Sequence, residues 1–441
     1  MNDAPIVALY NNLETFFAFL QRSNDPDIFE KRKYRGDRGL FWLGRSKLLF
    51  TTAPVPGARQ ICDRWGYSAT DLLSPPEPTH QLSLDILRDP KLIQRIVDFA
   101  GAGRTIQLIP YATTREFYQL AATLTNDHGL TVLLPESPAP ESLWVRNYAD
   151  TKAGFRSLVG QWLGSEARFP TGFVCRTIPQ AAEVVTWFLA RGKDCVVKAD
   201  GGESGIGHLV FRVAESASGA VMERLAGNPF LNNDLIIVEE FIPSSTGESP
   251  SLEFFVPPLG QGEPFVTYLS SQIFEQFGRF AGVLIGREMM RSAWYDSLAA
   301  RGLKIAREMQ AAGYAGIFDL DCVVDDAGGI WFLEINARRT GGTYVHEFAR
   351  TTFGDDYLAR VVILSSNEIR CDGIKDEMHL LAVLDNLLLP LGAARGLVIT
   401  VTSTIHTGQF GGIFIAPDED DVLRLRAEVL ERLETVRNTK S

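Results

Sequence analysis

The segment GIFDLDCVVDDAGGIWFLEINARRTGGT concentrates the residues best suited to chemistry. Two apolar runs, Ile317 to Val324 and Ile330 to Ile335, flank a DDAGG turn, so the pattern predicts a β-hairpin. Side chains alternate along a strand, which puts Asp319 and Asp321 on one face of the first run and Glu334 and Asn336 on one face of the second. Pairing would gather these oxygen ligands into a hard-oxygen site of the kind that suits Mg²⁺ held jointly with phosphates. Left buried without a cation or arginine partners, they would cost several kcal/mol. Arg338 and Arg339 follow at once and can bind a phosphoryl group or carboxylate through two parallel hydrogen bonds. A second constellation, CVVKADGGESGIGHLVF, is an apolar strand ending in Lys198, a loop with glycines at 201, 202, 205 and 207, and a returning strand. Glycines let backbone N–H groups approach phosphate oxygens, and the lysine adds a point charge. The loop lacks the G-x-x-x-x-G-K-[ST] order and returns as a strand, so neither a P-loop nor a dinucleotide-binding turn fits. Third, LIIVEEFIP ends an apolar strand in Glu239 and Glu240, and Glu253 opens another strand before Phe254 and Phe255. Taken singly, these acids could be solvated punctuation.

The elements that must position these groups follow from periodicity. Residues 1 to about 150 alternate strand-like runs (KLLFTTAPV, RTIQLIPYA) with helical ones (TREFYQLAATLTN, with Phe117, Leu120 and Leu124 on one face), the signature of an α/β domain. The charged run from Glu30 to Gly39 is either an anion-binding surface or, more ordinarily, a solvated loop. LLPESPAPESL, before Trp144, reads as the linker into a unit covering 151–355, with a flap over about 180–245. The remaining 356–441 form a small α/β unit in which Val422, Leu425, Val429, Leu433 and Val436 repeat at helical spacing. The chain has 441 residues, 45% hydrophobic and 22% charged, with 43 Lys plus Arg against 54 Asp plus Glu, a balance of -11. That balance argues against nucleic acid and anionic membrane as partners, since both need a positive field. Lone cysteines at 62, 175, 195, 322 and 371, with no C-x-x-C pair, match a reducing compartment. The N-terminus lacks a positively charged segment ahead of an apolar one, and the longest apolar stretch is broken by Asp385, Pro390 and Arg395. The expectation is a cytoplasmic protein.

In order, the flap lysine, the glycine loop, the hinge acids and D-x12-E-x-N resemble the ATP-grasp superfamily over about residues 150 to 355. The resemblance implies an α/β (α+β) ATP-grasp fold with an N-terminal pre-ATP-grasp α/β domain and a small C-terminal α/β domain. It implies ATP as cofactor, with Lys152, Lys198, Gly201, Gly202, Ser204, Gly205 and Gly207 at the phosphates. Glu239, Glu240, Phe241 and Ile242 would meet adenine, and Glu253 the ribose, with Glu248 as rival. Asp321, Glu334 and Asn336 would hold Mg²⁺, or Mn²⁺ in its place, leaving Asp319 a supporting role. Arg338 and Lys198 would face the reacting phosphate. Gln272, Arg279, Gly282 and Arg287 fall where related ligases build part of the substrate pocket. YATTREFYQLAATL and RGLVITVTSTIHTGQFGGIFIAPDEDDVLRLRAEVL are further similar to the pheganomycin-type peptide ligases. Those flanks imply ATP-dependent joining of an amino-acid carboxylate to an amine on an amino acid or peptide, through an acyl phosphate, in natural-product (antibiotic) metabolism. Acyl transfer to a carrier-protein thiol, small-molecule phosphorylation and a non-catalytic nucleotide-binding role are the alternatives, and a homodimer is allowed. Cys195 and Cys322 read as packing residues, and His208 and His346 as ordinary hydrogen-bonding residues.

Overall fold

The computed structural model describes residues 4–202, 205–215, 218–274 and 279–438. Five short apolar runs form the first sheet: β1 (Ile6–Tyr10), β2 (Ser46–Thr51), β3 (Ala69–Leu73), β4 (Thr105–Pro110) and β5 (Thr131–Leu133), in the order β3-β2-β1-β4-β5. Every pairing is parallel. A parallel sheet is covered on both faces, which is why its central strands read as continuous apolar runs. Among the covering helices is Arg115–Asn126, begun by Thr114, whose hydroxyl accepts from Phe117 N, and it buries Phe117, Leu120 and Leu124.

A four-stranded antiparallel flap follows, built from β6 (Gly172–Cys175), β7 (Cys195–Ala199), β8 (Leu209–Phe211) and β9 (Ile236–Glu240) in the order β6-β9-β7-β8. The third sheet has eight strands: β10 (Pro250–Val256), β11 (Phe265–Phe274), β12 (Phe280–Ile285), β13 (Gly316–Val324), β14 (Ile330–Asn336), β15 (Val362–Arg370), β16 (Gly396–Val401) and β17 (Gln409–Ala416). Their order is β14-β13-β10-β11-β12-β15-β17-β16. The segment 356–441 therefore adds its strands to the sheet of 250–336, through β12 and β15. The helix Glu419–Asn438 buries Val422, Leu425, Val429 and Leu433. Among the described residues no helix is long and apolar enough to cross a membrane.

Candidate active site

The DDAGG turn closes the β13–β14 hairpin, and a one-residue register shift between Asp321 and Cys322 then opposes Asp321 to Glu334 and Asp319 to Asn336. The next strand, β10, opposes Ser251 to Asp321 and Glu253 to Asp319. Directly opposed residues share a face, so the polar side chains of three strands meet on one surface. That surface floors a cavity of about 870 Å³ beneath the flap. Along the hairpin, apolar Val323 and Leu333 come first, then Asp321 and Glu334, then Asp319, Asn336, Arg338 and Thr340, and all of these except the first pair are polar. The cavity thus has an apolar end, a charged middle and a further end.

At the apolar end Pro170, Val196, Phe241, Ile242, Val323 and Leu333 form a slot. The hinge residues expected at adenine, Glu239, Glu240, Phe241 and Ile242, all line the cavity. Lys193 holds the Glu240 carboxylate at 2.8 and 2.9 Å, and the Arg212 guanidinium lies 4.1 Å over the Phe241 ring.

Charges in the middle come in opposed pairs. Lys152, 3% exposed at the start of the helix Lys152–Leu163, meets Glu334 at 3.1 Å. Thr151 caps that helix, and Asp200 accepts from Ala153 N at 2.7 Å, so the lysine is fixed to the end of β7. Lys198 pairs with Glu239, which Arg156 also holds at 3.1 Å. Burial raises the Glu334 pKa, but Lys152 and then Lys198 outweigh it and hold the carboxyl at about 2. For His208, burial and the same two lysines push the imidazole down to about 3. Asn336 donates to Asp321 Oδ2 at 2.8 Å, and Thr340 donates to Asp319 Oδ2 at 2.6 Å. The other oxygens, Asp321 Oδ1 and Asp319 Oδ1, are buried with no hydrogen-bond partner. Burial, then Glu334, raises the Asp321 pKa to about 6, and burial, then Glu253, raises that of Asp319 further. No group of three His, Cys, Asp or Glu side chains among the described residues is arranged around one metal position. The set here is two carboxylates and an amide, and its orphaned Asp321 oxygen fits a hard cation such as Mg²⁺.

At the further end Arg338, 7% exposed, pairs with Asp150 and sits 4.9 Å over the Phe16 ring. The cavity is lined further by Tyr111, Tyr268, Ser270, Gln272, Phe274, Phe280, Val283, Gly341 and Gly342. A Cβ on Gly341 would sit 2.8 Å from a Phe280 ring carbon, and one on Gly342 would strike the Tyr268 hydroxyl, so both glycines permit close approach of backbone to ring.

Of the flap loop, Gly205 and His208 reach the cavity, whereas Gly201 and Gly202 turn to Phe19. A Cβ on Gly202 would lie 2.9 Å from Phe19 Cζ. Gly207, at φ 80°, packs on Phe230 and Ala199, and Ser204 lies outside the described residues. Glu253 is not brought to the wall: it is 1% exposed beneath it, accepting from Thr343 Oγ1 at 2.5 Å and Thr267 Oγ1 at 2.7 Å. Glu248 is likewise off the wall, while its neighbours Gly247 and Ser249 line it. Arg287 is exposed and pairs with Glu288 at 3.3 Å, away from the cavity. Gln272 lines the cavity; Arg279 pairs with Glu368, and Gly282 packs on the Ser365 backbone. Sequence reasoning missed Tyr111, Tyr268, Phe280 and the Arg156–Glu239 pair, whose partners are far apart in the chain.

No family model matches the chain. A phosphoribosylamine–glycine ligase from Yersinia pestis is 30% identical over 191 residues, covering 40% of this chain and 42% of that protein. The chain thus matches less than half the length of that curated relative. Among solved structures, N5-carboxyaminoimidazole synthetase from Staphylococcus aureus complexed with ADP aligns at a TM-score of 0.56 and 11% identity over 98% of this chain and 97% of that one. Biotin carboxylase from Campylobacter jejuni aligns at a TM-score of 0.56 and 12% identity over 99% of this chain and 95% of that one.

Proposed function

From the ATP-grasp fold that this chain carries, we propose that it is an ATP-dependent carboxylate–amine ligase that joins an amino acid or peptide in specialised metabolism. The observation that carries the reading is the middle of the cavity. Lys198 on the wall, and Lys152 buried behind Glu334, each held by an acid, adjoin Asp321, Glu334 and Asn336 there. A volume of about 870 Å³ lies near the top of the ~300–1,000 Å³ range of small-molecule pockets, which suits a nucleotide beside a second substrate.

The slot would take adenine, with the hinge backbone from Glu239 to Ile242 along its edge. Lys152 and Lys198 would exchange their carboxylate partners for phosphate oxygens, with neutral His208 beside them. Asp321, Glu334 and Asn336 would hold Mg²⁺, which supplies charge neutralisation at the phosphates. Arg338 orients the substrate carboxylate, whose oxygen attacks the γ-phosphorus. The bond to the β-phosphate oxygen breaks, releasing ADP and leaving an acyl phosphate. The amine then attacks the carbonyl carbon, phosphate leaves and an amide remains. Positioning and charge neutralisation carry such a transfer, so no side-chain nucleophile is needed. All five cysteines are buried, in keeping with that.

The test is ADP and phosphate release screened over pairs of amino acids, peptides and carrier proteins, with mass spectrometry of the product. An amide product with one ADP per bond is the expected result. A thioester would establish acyl transfer to a thiol instead, and a phosphorylated single substrate would establish a kinase.

A further inference from the structure

The link between β1 and β2 carries the charged run Glu30–Gly39, whose end, the 3₁₀ turn Gly36–Phe41, is buried. Ahead of it come two short helices, Asn12–Thr15 and Phe17–Leu20, anchored in the first domain by buried Leu13 and Leu20. Asn11 adds a polar anchor, accepting from Tyr111 N at 2.9 Å and donating to the Ala112 carbonyl at 3.0 Å. From this base two side chains reach across to the flap. Phe19 stacks on Phe230, with ring centroids 4.7 Å apart and planes at 21°. Its ring also lies against Gly201 and Gly202, an approach that a Cβ on Gly202 would block. Three residues on, Arg22 meets Asp234 at 2.5 Å, and Asp234 accepts in turn from Gly201 N at 3.4 Å. Phe230 belongs to the turn Pro229–Leu231, whose cap Asn228 donates to the Gly207 carbonyl at 3.2 Å. A Cβ on Gly207 would lie 3.1 Å from Phe230 Cβ, so Gly207 is seated on the residue that Phe19 grips.

The glycine loop is thus held from outside at Gly201, Gly202 and Gly207, while Gly205 and His208 face the cavity. The flap sheet and the first sheet share no strand pairing among the described residues, so side chains carry the junction. The same segment also touches the reacting end, where the Phe16 ring lies 4.9 Å from the Arg338 guanidinium. A ring stack and a part-exposed ion pair are each weak and re-form readily, which suits a contact that must open and close during turnover. We infer that Phe19 and Arg22 are positioning residues, a latch by which the first domain holds the flap loop over the nucleotide and sets the rate at which nucleotide leaves. The latch rests on the nucleotide reading of the cavity and not on the ligase step.

The full chain is loaded with Mg²⁺ and ADP carrying a fluorescent methylanthraniloyl group on its ribose, and release is followed by stopped flow after a chase with excess ATP. Phe19→Ala should release the probe about tenfold faster and Arg22→Gln about threefold faster than wild type. The control Arg95→Gln, which breaks an exposed ion pair with Asp71 elsewhere in the first domain, should release at the wild-type rate. Phe19→Ala combined with Phe230→Ala should be no faster than Phe19→Ala alone, because both remove one contact. A purely structural role would lower the thermal midpoint and leave release well below that midpoint unchanged, and this pattern in Phe19→Ala and Arg22→Gln overturns the latch. If Phe19→Ala does not fold, Arg22→Gln decides alone, since its side chain is 31% exposed. A wild type that binds no MgADP probe overturns the latch together with the nucleotide site. If the probe behaves as expected but no pair of substrates yields an amide, the ligase reading falls and the latch stands.

Discussion

The two halves of the cavity differ in how much of their wall is buried charge. In the nucleotide half every cation that the site would use already meets an acid: Lys152 with Glu334, Lys198 and Arg156 with Glu239. In the further half the walls are mostly rings, hydroxyls and glycines, with one buried ion pair, Arg338 with Asp150. The difference teaches how each half stays folded without ligand. Paired charges hold one another in place and can trade partners when phosphate and cation arrive, because attraction in a low-dielectric site is conserved through the exchange. Rings and glycines have no partner to trade, so the further half would meet a ligand chiefly by shape.

The sharpest way to break that comparison is to neutralise the nucleotide half at its centre. Glu334→Gln removes a proposed metal ligand and leaves Lys152 unpaired. ATP-dependent ADP release should fall about 10³-fold, with the fold retained by circular dichroism. Full activity would mean that Glu334 holds no catalytic cation. Next in size, Lys198→Ala leaves Glu239 to Arg156 alone and should lower kcat/KM for ATP about 10²-fold, measured by ADP release at limiting ATP. Normal turnover would remove the flap lysine from the phosphate site.

The further half answers to shape instead. A Cβ at Gly342 would collide with the Tyr268 hydroxyl and lie 3.0 Å from Cζ. Gly342→Ala should therefore raise KM for the second substrate about tenfold while KM for ATP stays put, since overpacking of this kind costs about 1–3 kcal/mol. Parallel changes in both constants would show that the two halves are not separable.

The same contrast explains what could be read from sequence. Asp321, Glu334 and Asn336 were legible as polar residues at period-two spacing beside a tight turn, but a one-residue register shift between Asp321 and Cys322, which no spacing announces, is what opposes Asp321 to Glu334. Lys198 and the hinge acids sit at the ends of apolar runs and announce themselves in the same way. Glu253 also precedes aromatic residues on a strand and shares the face of Asp319, yet Thr343, at the start of the helix Thr343–Phe353, covers it there together with Thr267, a closure that no local pattern encodes. In the further half, Tyr111, Tyr268, Phe280 and Gly342 come from separate segments whose rings look like ordinary core fillers until the fold assembles them. The tail was legible as strands and a helix. That it would extend the large sheet was not, because the junction rests on the pairs Leu284 with Leu364 and Ile285 with Ile363, far apart in the chain.

A final, smaller effect concerns a buried cation that no ligand could relieve. Lys47, fully buried on β2, donates to the carbonyls of Leu40 at 2.7 Å and Gly44 at 2.9 Å and lies 5.2 Å over the Tyr67 ring. Burial lowers its pKa from 10.5 to about 7, against the weaker pull of Glu347. Between those values the unfolded chain binds more protons than the folded one, so stability must rise as pH climbs from about 7 towards 10. Denaturant titrations across that window should show a gain on the order of a few kcal/mol, absent in Lys47→Met. Turnover at neutral pH should be unmoved by that substitution, because carbonyls rather than a substrate satisfy this lysine. A fall in kcat/KM would tie Lys47 to the cavity, and the division between acid-paired and carbonyl-satisfied lysines would no longer hold.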